Sequence, residues 1–267
     1  MRFQFPQALW KQRDLWWRLT EREVLGRYRG SALGIGWSFI TPLAMLAVYT
    51  FVFSQIFKAR WGGLEQAGPL GFAVNLFAGL IVFNLFSECV SRAPGLVVAN
   101  PNYVKKVIFP LEVLGSVAVG SAGFHAITSL IILIMFELFA FHQLPFTLLL
   151  LPLVWLPLLL GSLACTWLLS AAGVFLRDIN QLIGVALNML LFLSPIFFPV
   201  SALPARWQPI LALNPLAPII EETRRVAVQG VNPNPLYLIT ATIVTAAACE
   251  LSFRAFQRAK KAFADVI

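Results

Sequence analysis

The titratable and nucleophilic side chains of this sequence are few, and their spacing argues against bond-making chemistry. His125 and His142 show neither HxxxH nor HExxH spacing and fall in different surroundings, so no metal site is expected. Cys89, Cys165 and Cys249 have no paired spacing and read as small apolar packing residues. There is no G-x-S-x-G nucleophile elbow, and no Asp and Ser stand together at helical spacing. No G-x-x-x-x-G-K-[ST] run occurs, so the chain cannot hold ATP in a P-loop, and any uphill work must draw on another polypeptide or an ion gradient. No catalytic residue is assigned. What remains is a set of isolated polar residues inside apolar runs: Asn75, Asn84, Glu88, His125, Glu137 and Asn188. Such groups are costly in lipid and turn toward other helices or a water path. Asn84 and Glu88, four residues apart, share a helix face suited to a helix–helix hydrogen bond or to a substrate contact.

The elements that carry these residues follow from the distribution of charge. No Asp, Glu, Lys or Arg falls between Arg29 and Lys58, Glu65 and Glu88, Glu112 and Glu137, Glu137 and Arg177, Asp178 and Arg206, or Arg225 and Glu250. About 20 apolar residues cross a bilayer as a helix, so each gap can hold a span. Of the 267 residues 59% are hydrophobic and only 12% are charged, too few for a soluble surface. The reading is an all-α polytopic membrane protein with spans at 37–57, 72–91, 113–139, 146–174, 182–200 and 235–253. The long apolar run after Glu137 is divided by His142, Gln143 and Pro145, a polar, helix-breaking turn. Residues 1–36 form an N-terminal segment and 37–267 one transmembrane domain, with no cleavable signal pattern expected.

The net charge of +8 invites a nucleic-acid reading, but in a membrane protein the position of the basic residues is the informative quantity. Of 20 Lys and Arg, fifteen lie on the side that carries both termini and five on the other. The positive-inside rule therefore puts both termini in the cytoplasm. In the N-terminal segment Phe5, Ala8, Leu9, Leu15, Trp16 and Leu19 gather on one side of a helix, opposite Arg13, Asp14, Arg18 and Arg22, with Trp10 and Trp17 flanking the charged sector. That pattern suits a helix lying in the headgroup layer or packed on the transmembrane core. Between the fifth and sixth spans, Pro195, Pro199, Pro204, Pro209, Pro215 and Pro218 interrupt an otherwise apolar stretch. It is expected to re-enter the outer leaflet as short broken helices, its freed backbone groups buried in protein or facing water.

Two further features are interaction surfaces. Gly115, Ser116, Gly120, Ser121 and Gly123 form a small-residue stripe for close helix contact, within or between subunits. In the loop at 100–110, Asn100 and Pro101 start a short helix that Pro110 ends, carrying Tyr103, Lys105 and Lys106. It is either a solvated connector or a docking element for a cytoplasmic partner.

Several runs carry a family resemblance. Residues 22–34 (REVLGRYRGSALG), the following WSFITP at 37–42 and VYTFVFS at 48–54 resemble the first quarter of bacterial polysaccharide-exporting ABC transporter permeases. KKVIFPLE at 105–112, FLRDI at 175–179, SPI at 194–196 and LNPL at 213–216 follow in that family's order. The match covers essentially the whole chain and looks closest to the O-antigen branch, with capsule and teichoic acid exporters as cousins.

The resemblance implies an inner-membrane homodimer joined to two copies of a cytoplasmic ABC ATPase, which holds the ATP and Mg; no cofactor belongs to this chain. It implies a polysaccharide on an undecaprenyl pyrophosphate carrier as substrate, and no nucleic acid. The N-terminal helix becomes an interfacial gate, with Arg27, Tyr28 and Arg29 at the pyrophosphate entrance, because guanidinium groups match phosphate oxygens with forked hydrogen bonds. Tyr49, Phe53, Phe57, Phe83, Phe86 and Asn84 become channel-lining residues, since aromatic faces suit the apolar C–H faces of sugars. Asn100, Asn102, Tyr103, Lys105, Lys106 and Phe109 become the ATPase-coupling helix. Competing readings are an ABC permease for a small drug or lipid, and an intramembrane enzyme acting on lipid-linked sugars. The latter would need clustered intramembrane acids or histidines, which are missing from the sequence.

Overall fold

The computed structural model describes residues 4–52, 68–105, 109–200, 204, 206, 211 and 213–267. Among them every regular element is helical: α1 (Phe5–Lys11), α2 (Arg13–Arg27), α3 (Trp37–Phe51), α4 (Gly68–Arg92), α5 (Gly95–Val98), α6 (Pro101–Lys105), α7 (Glu112–Phe141), α8 (Leu151–Phe175), α9 (Ile179–Leu193), α10 (Leu216–Ala227), α11 (Pro235–Ala259) and α12 (Phe263–Val266). Among the described residues five helical stretches are long and apolar enough to cross a membrane: Gly34–Phe51, Leu70–Arg92, Glu112–Phe139, Phe146–Phe175 and Pro235–Val266. They correspond to the first, second, third, fourth and sixth expected spans. The last five residues of the first expected span, with Phe53 and Phe57, lie outside the described residues.

The fifth expected span is displaced. Its helix α9 begins at Ile179 and ends at Leu193, seven residues short of the expected Val200. Ser194 precedes Pro195 and is extended at ψ 146°, because the proline ring excludes the helical conformation from the residue before it. At 15 residues α9 is about 22 Å long, shorter than the ~30 Å hydrocarbon core.

The core sits around α4. Residues 71–83 are buried on every side of this helix, which packs against α3, α7, α8, α9 and α10. A helix apolar all round is a buried helix, and the near-continuous hydrophobic composition of α4 accounts for its central place. The most extensive pairing joins α8 to α11. At the end of α7, His142 takes a left-handed conformation with φ 56°, so the polar turn expected there does divide the run.

The N-terminal segment is two helices, α1 and α2, broken at Gln12 (φ −113°, ψ 17°). Its expected apolar side is the packed one: Phe5 and Leu19 are buried and Leu9, Leu15 and Trp16 half-buried, while Trp10 is 71% and Trp17 65% exposed. Phe5 meets Trp167 edge-on at 6.2 Å, and the backbone N–H groups of Gln4 and Phe5 donate to Oε2 of Glu250 at 2.8 and 3.2 Å. The start of the chain is thereby fastened to α11.

The proline-rich stretch is organised by α10. Counted from sequence as an outer-loop charge, Arg224 is in fact wholly buried. Its Nε donates to the carbonyl of Asn75 at 2.9 Å, Nη1 to Pro195 at 2.5 Å and Nη2 to Ile196 at 2.9 Å, with Glu221 Oε1 2.9 Å from Nη1. Gly79 of α4 makes room for it, since a Cβ there would lie 2.8 Å from Nη2. Asn214 adds a second tie, donating to the Leu193 carbonyl at 3.2 Å and to Ser194 Oγ at 2.8 Å.

A related close approach yields a test. A methyl on Gly173 of α8 would overlap the backbone of Pro94, whereas one on Gly123 would meet nothing within 4 Å. Gly173→Ala should therefore lose about 1–3 kcal/mol, the usual cost of overpacking, and melt earlier in detergent, with Gly123→Ala melting like the parent.

Candidate functional site

Where α2 ends, its last side chains reach the faces of α4 and α7. Asn84, Glu88 and Arg92 recur at four-residue intervals on α4 and so line one face. Glu88 collects the charges around it. Its Oε1 accepts from Arg27 Nη2 at 2.6 Å and lies 3.7 Å from Arg92 Nη1, while its two oxygens are 3.0 and 3.1 Å from Nδ1 of His125 on α7. Arg92 also pairs with Glu23 of α2. Tyr28 Oη lies 3.1 Å from Nε2 of His125. Burial pushes the Tyr28 phenol above its usual pKa, so it stays protonated and can donate to the imidazole.

This cluster closes one end of a cavity of about 470 Å³ between α3, α4 and α7. Arg27, Tyr28, Asn84, Glu88 and His125 form its polar end; Met45, Tyr49, Phe77, Leu80 and Ile81 continue it as an apolar wall. Ser38, Thr41 and Ser129 add hydroxyls to the lining, and the gathering of charged groups at one end beside a mainly apolar wall suits a ligand with an anionic head and an apolar body. Among the described residues no three His, Cys, Asp or Glu side chains converge as metal ligands.

Of the residues expected at the site, the fold brings Arg27, Tyr28, Tyr49 and Asn84 to this cavity. Arg29 is exposed beyond the end of α2 and does not line it. Phe83 is buried in the core and Phe86 packs against that core, both off the cavity. Phe53, Phe57 and Lys106 lie outside the described residues. In the coupling-helix candidate, α6 carries exposed Asn102 and Lys105. The Asn100 side chain turns back to donate to the Leu96 carbonyl at 2.9 Å, and Tyr103 stacks on Phe109 at 4.3 Å. Arg22 of α2 donates to Tyr103 Oη at 3.1 Å, joining this loop to the N-terminal helix.

Sequence reasoning noted Glu88 and His125 singly and missed that they meet. The signal was available: two polar side chains in neighbouring apolar spans each need a partner, and each is the other's best one. In the small-residue stripe of α7, Gly115 and Gly120 serve contacts within the chain, while Gly123 faces open space. A Cβ on Gly115 would come within 2.8 Å of the Trp167 indole, and one on Gly120 within 2.9 Å of Trp16 and 3.0 Å of Thr20. Trp16 Nε1 donates to the Ser116 carbonyl at 2.9 Å, so α2 lies directly on this stripe.

Comparison with known proteins gives a family and three named relatives. The family described as ABC-2 type transporter matches residues 14–227. The chain is 27% identical over 264 residues to the O-antigen export system permease protein RfbA of Myxococcus xanthus, covering 98% of each chain. It is 24% identical to a Klebsiella pneumoniae protein of the same name, with 95% of each covered. The polysialic acid transport protein KpsM of Escherichia coli is 27% identical over 240 residues, 84% of this chain and 86% of that one. These relatives are named as transport proteins, not as enzymes.

The seat of α2 on α7 is testable without assay of any activity. Gly120→Leu should force Trp16 and Thr20 outward at a cost of about 1–3 kcal/mol. Solubilised protein should then be cut faster by trypsin at Arg18 and Arg22, with the helix content unchanged by circular dichroism.

Proposed function

The chain belongs to the ABC-2 type transporter family, and we propose on that premise that it is the transmembrane subunit of an ATP-driven polysaccharide exporter in the bacterial inner membrane. Its substrate in this reading is lipopolysaccharide O-antigen carried on undecaprenyl pyrophosphate. The observation that carries the reading is the cavity beside α2, a charged and hydrogen-bonding end set against an apolar wall. In this reading the polyprenyl chain lies along the wall and the pyrophosphate at Arg27 and Tyr28. Arg29, exposed two residues beyond Arg27, supplies a second guanidinium at the entrance. The relatives called O-antigen permeases align with nearly the whole chain, while the capsule-type relative covers 84% of it, which favours O-antigen over capsule.

In the working assembly two copies of this chain pair with two copies of a cytoplasmic ATPase, and both termini lie in the cytoplasm. The loop that contains α6 docks on the ATPase and passes its movement through Tyr103 and Arg22 to α2. The α1–α2 segment acts as the gate for lateral entry, and α10 re-enters the membrane from the outer side.

A deletion strain should lose surface O-antigen and accumulate undecaprenyl-linked glycan inside; unaltered surface glycan would overturn the reading. Reconstituted alone, the chain should hydrolyse no ATP, and Tyr103→Ala should weaken the hydrolysis that appears with the partner. The double variant Arg27→Ala with Arg29→Ala should insert normally and still bind the ATPase. Each basic residue in the headgroup layer contributes on the order of 1 kcal/mol toward an anion, so export should fall about tenfold or more. Normal export at parental expression would confine these arginines to topology.

A further inference from the structure

Arg27 already serves an anion in the resting structure, its Nη2 donating to Glu88 Oε1 at 2.6 Å. Glu88 holds a second position as well: the same carboxylate oxygen bonded to Arg27 is within 3.7 Å of Arg92 on its own helix. With the two guanidinium groups of Arg27 and Arg92 set against the carboxylates of Glu88 and Glu23, the resting cluster is neutral in its permanent charges. We propose that Glu88 is an internal stand-in for the ligand's phosphate, and that Arg27, His125 and Tyr28 together form the phosphate-binding set. An arriving pyrophosphate displaces the Glu88 carboxylate, which passes from Arg27 and His125 to Arg92.

The geometry supports each part of the exchange. Arg27 Nη2 and His125 Nδ1 both meet the Glu88 carboxylate, Arg27 Nη1 lies beside them at 3.1 Å from Nδ1, and Tyr28 Oη holds the other ring nitrogen of His125 at 3.1 Å so that Nδ1 faces the anion; a phosphate presents the same kind of acceptor oxygens with more charge. His125 and Glu88 are each less than one-fifth exposed and line the polar end of the cavity, so a headgroup reaching the cluster enters through that end. Glu88 does not have to be left unpaired in the protein, because Arg92 lies one helical turn away. The exchange also has a mechanical consequence. It releases one of the two ion pairs between α2 and α4, leaving Arg92 with Glu23, and replaces it with a bond between α2 and the ligand, while Arg22 keeps α2 tied to Tyr103 in the loop.

The proposal rests on the exporter reading, and the experiment separates their failures. The purified complex of this chain with its ATPase would be titrated with undecaprenyl pyrophosphate, and bound lipid counted by native mass spectrometry. Undecaprenol and inorganic pyrophosphate serve as the lipid-only and anion-only probes. Glu88→Gln removes the competing charge and should tighten undecaprenyl pyrophosphate about fivefold, the scale of a partly exposed ion pair, with no change for undecaprenol. His125→Ala should weaken it about fivefold. Competition by inorganic pyrophosphate at equal concentration would identify the free anion as the ligand, and competition only at large excess would identify the lipid headgroup. Equal or weaker binding by Glu88→Gln overturns the stand-in role. Should that variant fail to fold, Tyr28→Phe, which keeps every ion pair, decides: unaltered binding by it would overturn the assigned set. No binding of undecaprenyl pyrophosphate by the parent complex would instead overturn the exporter reading itself.

Discussion

A bilayer offers no hydrogen-bond partner to a peptide group, and the fold depends on meeting that constraint wherever the chain stops being helical. Pro195 ends α9 and frees carbonyls that a soluble protein would give to water. Here they are given to Arg224, whose planar guanidinium serves the carbonyls of Pro195, Ile196 and Asn75 at once. A lysine could not span three acceptors in that geometry. The arrangement in turn requires a glycine at position 79, so a charged residue in one helix and the smallest residue in another are parts of one solution. With α10 held in this way, Ser194, Pro195 and Ile196 just after α9 are part of the packed body.

The polar end of the cavity answers the same constraint with side chains. Glu88, His125 and Arg92 are placed on spans where single charges are expensive, and each is offset by a neighbour drawn from another helix. The partners come largely from α2, which brings Arg27, Tyr28 and Glu23 to the spans while its apolar side rests on the glycine stripe of α7. One short helix thus joins the cavity, the α6 loop and the two central spans. Its position is set by packing on one side and by charge on the other, and the two requirements act through different residues. Ion pairs with partial exposure are individually weak, so the network is open to exchange in a way that the buried Arg224 ties are not.

The sequence by itself determined the class of the protein, the location of five of the six expected spans and the face on which the N-terminal segment packs. Those features depend on periodicity and on the length of charge-free runs, which are local properties: a run without charge can span, and Phe5, Leu19 and Trp16 share a side of any helix they form. The turn at His142 and the disruption at Pro195 were legible for the same reason, although the proline ended α9 earlier than hydropathy suggested. Tertiary structure alone decided which polar groups meet. His125 and Glu88 are separated by 37 residues and Arg27 by 61 from Glu88, distances over which no spacing rule operates. It also decided that Arg224, one of two adjacent arginines in a helix that reads as amphipathic, is enclosed rather than solvated, and that Phe83 serves the core and not the cavity. Burial and partnership are set by what the rest of the chain brings to a residue, and that exists only once the helices have packed.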